Sequence, residues 1–507
     1  MMAISHQAVL EHLKPHSTPD RPIYVVGGAV RDMLLNRPVH DLDLAMPGPT
    51  LPLARRVADA LGGGLYVMDE ERDTTRVVLN TGEKERLLLD FAALRGGSIE
   101  ADLRSRDFTI NAMAYDVAQS NHLLDPTGGL ADLREKRLRA CQPTSLSDDP
   151  ARVLRVVRQA LALRFRIDPE TVRLARSAAP LLENISPERR RDELFKMLDG
   201  RHVARAIEIL DHLGALGALL PEMRAMKGVT QSAPHIDDVW DHTLAVVRHL
   251  EALLDVLVGA YNEDAAADLF SGLAVMRLGR FREQFEQHFA QPAHIERTRR
   301  SLLFLAALYH DIAKPLTRTQ EADGKIRFLG HPESGAQAAG ERARALALSN
   351  VEVQLLEQVI QQHMRCHFMT TDLLNGGEPP SRRTIFRYFR DTGPTGVEIC
   401  LLSLADLRGT WGVGLPQSHW LAELDVCRAL LEAYWEQGEQ VVAPPRLLTG
   451  HDVMKEFGLP PGQMIGRLLE AIREGQAAGE IHNREEAFDF ARCFLAQQAG
   501  GLTQGER

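Results

Sequence analysis

A change of hydrophobic period near Ser147 constrains this chain more than any other feature. From residue 22 to about 140, apolar residues come in short or alternating runs, IYVVGG, DLDLAM, LYVMD, RVVLN and RLLLDFAAL, broken by Gly, Pro and Asp. Such runs predict strands. Beyond Ser147 apolar residues recur three and four apart, which predicts helices. The expected class is therefore α+β, a small α/β head followed by a long all-α body. In SDDPARVLRVVRQALAL, Ser147, Asp148 and Asp149 suit a helix N-cap and Pro150 suits a first turn. Asp149 and Arg152 are then expected at i and i+3 on one helix face.

A chain of 507 residues exceeds what one core supports. Four parts are expected: residues 1–146, a head; 147–230, an Arg-rich helical neck; 231–430, a helical domain holding most of the histidines; and 431–507, a tail. The tail begins near the breaker VVAPPRLLTG and continues as a pair of helices about a Pro-Pro-Gly turn. No apolar run reaches the roughly 18 to 20 residues of a membrane span. The N-terminal MMAISHQAVLEHLKPH lacks the basic start and apolar core of a secretory signal. A cytoplasmic location without a membrane partner is expected. Five scattered cysteines with no CxxC argue against a disulfide framework or a cysteine zinc site. The net charge of −10 leaves room for a nucleic-acid partner, because residues 134–191 concentrate Arg and Lys.

The head carries the first group of chemical residues. Asp41 and Asp43 share a strand face, where two carboxylates repel unless a cation lies between them. Magnesium takes such hard oxygen ligands, although a bare DxD by itself reads first as a surface strand end with two solvated carboxylates. Gly27 and Gly28 close a strand and open a helix, so their amides could hold a triphosphate, with Arg31 adding a contact. Asp32 could serve the helix dipole or hold Arg31. Asp90, ending RLLLD, is a third carboxylate or a strand-end turn residue. In RSRDFTINAMAYD, Arg106 could bind phosphate bidentately. There Asn111 could anchor a ribose or a turn, and Asp107 is either a site residue or an N-cap.

Taken in order, GGAVRD…DLD, RDFTINAMA, DPTGGLADLREKRLRA and DDPARVLRVVR resemble the class II tRNA nucleotidyltransferase and bacterial poly(A) polymerase superfamily over residues 22–225. The tail from Leu447 also resembles that of bacterial members. The resemblance implies a nucleotidyltransferase-type head with a mixed five-stranded sheet. It implies magnesium ions on Asp41 and Asp43, with Asp90 assisting the attacking hydroxyl. The partners it implies are the tRNA 3′ end, CTP and ATP. Asp149 and Arg152 of DDPAR would read the incoming base, a carboxylate accepting from an exocyclic amine and a guanidinium donating to ring acceptors. Asp148 stands where the family usually has Glu. Arg155 and Arg158 would continue that face toward triphosphate or tRNA, and SPERRRDELFKML would support it.

Further on, His242, the pair His310–Asp311, His331, His363 and Asp406 follow the order of the HD phosphohydrolase superfamily, which they resemble. This implies a helical divalent-metal site, with Asp311 able to bridge two ions and Lys314 able to meet a phosphate. The expected function is a tRNA nucleotidyltransferase adding CCA, or part of it, with an accessory metal-dependent phosphohydrolase domain. A poly(A) polymerase, an HD-type nucleotide phosphohydrolase with a nucleotide-binding head, and an RNA-binding scaffold are the alternatives.

Overall fold

The computed structural model describes residues 6–39, 41–80, 86–119, 122–259, 268–294 and 297–501. They form two compact units, residues 1–194 with 206–219, and residues 195–205 with 220–507.

In the first unit all five expected runs are strands: β1 (Tyr24–Val26), β2 (Asp41–Met46), β3 (Gly64–Asp69), β4 (Thr74–Asn80) and β5 (Arg86–Ala93). Two more, β6 (Ala114–Asp116) and β7 (Leu123–Leu124), extend the sheet to seven, in the order β3-β4-β5-β2-β1-β6-β7. These two are three and two residues long, too short to show a period. The sheet is mixed because β2 pairs with β5 in parallel while its other pairings are antiparallel. Alternation sets its faces: Leu42 and Leu44 are buried, and Asp41 and Asp43 point the other way. Thr109, directly after Asp107 and Phe108, donates to the buried Asp132 at 2.6 Å. Arg137 and Arg139 donate to the same carboxylate at 2.6 and 2.8 Å, so Asp132 ties the RDFTIN segment to the strands that follow.

The helix Ala151–Leu163 buries Ala151, Val153, Leu154, Val156, Val157 and Ala160, leaving Arg152, Arg155 and Arg158 along a half-buried face. Asp149 departs from expectation. It lies before this helix in extended conformation (φ −140°, ψ 93°), and Ser147 and Asp148 belong to a separate short helix, Ser145–Asp148. Pro150 is the cause, since a proline ring drives the preceding residue out of the helical region.

The second unit is almost wholly helical. The helix Arg299–Tyr309 is buried on all sides from Ser301 to Tyr309, as its unbroken apolar run requires. The tail helices Gly450–Phe457 and Gln463–Ala478 flank the Pro-Pro-Gly turn. They share a core of Val453, Ile465, Leu468 and Ile472 with Ala487 and Ala491. Among the described residues no helix is long and apolar enough to cross a membrane.

The DPTGG segment explains itself sterically. A Cβ on Gly129 would lie 2.1 Å from the carbonyl oxygen of Thr109. Gly129→Ala is therefore expected to destabilise the protein by about 1–3 kcal/mol, read as a lower urea midpoint. An unchanged midpoint would mean that this contact is not tight in solution.

Candidate functional sites

The parallel register of β2 and β5 sets Asp43 opposite Asp90, with Asp41 one pleat away on the same face. Burial, opposed by Arg106, combines with the neighbouring Asp90 and Asp41 carboxylates to push the Asp43 carboxyl above its ordinary range. A divalent cation relieves that kind of crowding, and three carboxylates are a hard donor set. The head carboxylates are not among the groups whose ligand atoms converge within 4.8 Å. Arg76, on β4 directly opposite Asp90 on β5, draws both Asp90 oxygens to its fork at 2.7 and 2.8 Å.

Gly27 has φ +75° and caps the helix Gly28–Leu34. A side chain there would meet Asp43 Oδ2 and Arg106 Nη1, each at 3.0 Å, so only glycine lets the backbone lie against both. Arg31 grips Asp32 at 2.9 and 2.7 Å and donates to Asn111 Oδ1 at 2.7 Å. Asn111 in turn donates to Asp107 Oδ1 and to Gln159 Oε1, both at 3.0 Å. Asp107 also accepts from the Phe108 amide and pairs with Arg155 at 2.8 Å. Arg106 is oriented by the buried Asp102 at 3.0 and 2.8 Å. Arg31, Asn111, Asp107 and Arg155 thus form one hydrogen-bonded network, while the Gly27 backbone lies against Asp43 and Arg106.

Asp149 and Arg152 line a separate cleft of about 950 Å³, with Arg72, Asp73, Arg95 and Arg189 on its wall. Arg189 holds both Asp149 oxygens at 2.8 and 2.9 Å, while Arg152 stands 3.8 Å away. Arg152 instead donates to the carbonyls of Ser105, Arg106 and Ser145. Arg158 pairs with Glu193 at 2.7 Å. Arg76, Asp102, Gln159 and the pairing of Arg189 were not singled out in the sequence. Only the cross-strand partnership of Arg76 and Asp90 had a readable signal, the matched alternation of two hairpin strands.

In the second unit all six expected HD-type residues meet. His242, His310 and Asp406 form one group and Asp311, His331 and His363 another, with ligand atoms in each within 4.8 Å of one another. Asp311 spans the two: Oδ2 lies 3.4 Å from His242 Nε2 and 3.2 Å from His310 Nε2, and Oδ1 lies 3.4 Å from His331 Nε2. Helix ends produce this convergence. His310 and His363 each follow a helix C-terminus and direct Nδ1 at the carbonyl three residues back, Ala307 at 2.8 Å and Ile360 at 2.6 Å. His331 opens a helix and does the same to Phe328 at 2.8 Å. A carbonyl can only accept, so each Nδ1 carries the hydrogen and each Nε2 turns inward, where it offers a lone pair whenever the ring is neutral.

The ligands differ in charge: against burial, Asp311 and Asp406 push the His242 imidazole up to about 9, a positive charge that a bound cation would replace. His363 is pushed down to about 3 by burial and by His310 and His331, which keeps it neutral. Burial opposes ionisation of Asp311, but the charges of His310 and Lys314 hold its carboxyl well below the usual range. His310 Nε2 is buried without a hydrogen-bond partner. Lys314 reaches Asp311 at 2.7 Å and Gln231 at 2.7 Å, on the wall of a cavity of about 910 Å³ that also holds His235, His367 and Glu423. The donor set, imidazole with bridging carboxylate, suits divalent ions.

Three of the five cysteines also converge, contrary to their scatter in sequence. Cys366, Cys400 and Cys427 are buried with sulfurs within 4.8 Å of one another. The Tyr388 hydroxyl lies 3.8 and 3.7 Å from the first two, and Cys427 faces the Cys400 carbonyl at 3.6 Å. The three sulfurs form a buried donor group of their own.

Comparison with known proteins gives the family to which both parts of the chain are similar. The model "Poly A polymerase head domain" matches residues 23–139, "Probable RNA and SrmB- binding site of polymerase A" residues 164–227, and "HD domain" residues 239–407. The A-adding tRNA nucleotidyltransferase of Deinococcus radiodurans is 32% identical over 482 residues, 94% of this chain and 96% of that protein. The CC-adding enzyme of Geobacter sulfurreducens is 33% identical over 465 residues, 92% and 90% of the two chains. Among solved structures, an apo CCA-adding enzyme aligns with TM-score 0.60 at 21% identity, covering 95% of this chain and 91% of the other. The Thermotoga maritima CCA-adding enzyme complexed with tRNA aligns with TM-score 0.56 at 20% identity, covering 96% and 95%. Identity of about a third sustained over nearly the whole length establishes that this chain belongs to the tRNA nucleotidyltransferase family, with a poly(A)-polymerase-type head and an HD domain.

Proposed function

We propose that this protein adds CCA, or part of it, to tRNA 3′ ends from CTP and ATP, without a nucleic-acid template and in the cytoplasm. The observation that carries the reading is the register of Asp43 opposite Asp90, with Asp41 on the same face and the Gly27 backbone against Asp43. In the reaction the tRNA 3′ hydroxyl attacks the α-phosphate of the nucleotide and pyrophosphate leaves. Asp41 and Asp43 would hold magnesium, which when bound would activate that hydroxyl and neutralise charge on the leaving group. Gly27 and Gly28 offer backbone to the triphosphate. Arg31 and Arg106, already aimed by Asp32, Asn111 and Asp102, present their remaining N–H groups to its oxygens. Asp90 can accept the hydroxyl proton once Arg76 releases one oxygen of its fork. Base selection falls to Asp149 and Arg152, whose partners Arg189 and the Ser105 and Arg106 carbonyls would exchange for the incoming base. Arg155 and Arg158 continue the face toward phosphate.

The parts we assign along the chain are catalysis to residues 1–146, base and RNA binding to 147–230, phosphohydrolysis to 231–430, and a helical tail to 431–507. Four relatives matching 92–96% of this chain are named A-adding or CC-adding enzymes, whereas two named multifunctional CCA protein match 68% and 45% of it. That contrast favours addition of part of CCA. The six converging side chains of the second unit support an accessory phosphodiesterase or phosphatase.

Purified protein supplied with tRNAs lacking A, CA or CCA, and with each nucleotide separately, is expected to extend one class of these ends. Long runs of A on every primer would instead mark a poly(A) polymerase. Asp43→Asn should abolish extension while leaving phosphodiester hydrolysis intact; a variant that still extends tRNA would refute the head assignment. Gly27→Ala should lower incorporation roughly 10²-fold, because its Cβ displaces Asp43 and Arg106. Wild-type rates in that variant would show the contact to be unimportant. Conversely, His310→Ala with Asp311→Ala should remove divalent-dependent phosphodiesterase activity and spare tRNA extension, and undiminished hydrolysis would contradict the second site.

A further inference from the structure

Asp406 is the only proposed ligand of the second site whose two oxygens face in different chemical directions. Oδ1 lies 3.1 Å from His242 Nε2, inside the ligand group, and Oδ2 lies 3.0 Å from His367 Nε2. The other nitrogen of His367, Nδ1, lies 3.2 Å from Glu423 Oε1. Glu423 has no exposed surface, and the Ser403 hydroxyl donates to the same Oε1. Three helices supply the chain: His367 from Arg365–Leu374, Ser403 and Asp406 from Gly396–Trp411, and Glu423 from Gln417–Glu436. A carboxylate buried among apolar side chains is costly unless its partners hold it as an ion. Here the partners are a hydroxyl and a ring that reaches directly to the metal-side carboxylate.

We propose that His367 and Glu423 are positioning residues for the metal centre, fixing Asp406 so that Oδ1 alone is presented to an ion. This rests on reading the six convergent side chains as a metal site. His367 is not one of the grouped ligands; it acts through Asp406. Without it, the Asp406 side chain is free to rotate and both its oxygens compete for the ligand group. A carboxylate steered from behind in this way resembles the outer partners that orient metal ligands generally, whose loss weakens binding roughly 10- to 100-fold.

The test is Mn²⁺ titration by calorimetry of the full chain carrying Asp41→Asn and Asp43→Asn, the parent for this experiment, so that the second site alone is read. His367→Ala should lower Mn²⁺ affinity roughly 10- to 100-fold without changing the number of ions bound. Glu423→Leu should do the same, and Glu423→Gln, which keeps an acceptor for His367, should recover most of the loss. Combining His367→Ala with Glu423→Leu should be no worse than His367→Ala alone. A purely structural pair would instead lower the thermal midpoint and leave affinity within about twofold of the parent, overturning the proposal. So would loss of one whole ion in His367→Ala, which would make His367 a ligand. If the parent chain binds no Mn²⁺, the metal-site reading itself falls and the proposal with it. That outcome is distinguishable because His310→Ala would then be silent as well.

Discussion

Parallel pairing of β2 with β5 sets the spacing between Asp43 and Asp90, and the rest of the head is arranged about it. Like charges held on one face at low solvent exposure raise each other's energy, and the neighbourhood answers with guanidinium groups. Arg76 takes both oxygens of Asp90, and Arg106 and the Gly27 backbone close on Asp43. Arg106 in turn needs Asp102 to aim it, and Arg31 needs Asp32 and Asn111. Preorganised charge of this kind is what phosphoryl transfer demands, since its chemistry is mostly positioning and electrostatic stabilisation.

The second site reaches a similar end by other means. Sheet register is absent there, and helix termini do the aiming. The carbonyls of Ala307 and Ile360, in the last turns of two helices, accept Nδ1 hydrogens from His310 and His363. Satisfying the backbone and orienting the ligand are one hydrogen bond. Lys314 supplies a cation beside Asp311, and the pair His367–Glu423 extends the polar network outward from Asp406.

Much of this was readable in the residues. The five strand runs, the change to helix and the buried helix before His310 follow from period and composition, because burial of one face is a local property of a strand or helix. The carboxylate pair and the HD-type ligand set were readable as residue types in order. Two things were not. Asp149 left the expected helix because Pro150 drives its predecessor out of the helical region. Three cysteines meet despite separations of tens of residues, because helix packing brings distant positions together without a sequence period.

By itself, then, the sequence determined the α+β division, the inventory of carboxylates, histidines and guanidiniums, and the glycine at position 27. Those depend on local sterics and on the chemistry each residue type carries. Tertiary structure decided which of them act together. It placed Asp90 opposite Asp43, gave Arg76 to Asp90 and Arg189 to Asp149, and set His367 behind Asp406. Partnership between charges is a property of distance and burial, and neither is defined until the strands have a register and the helices have packed.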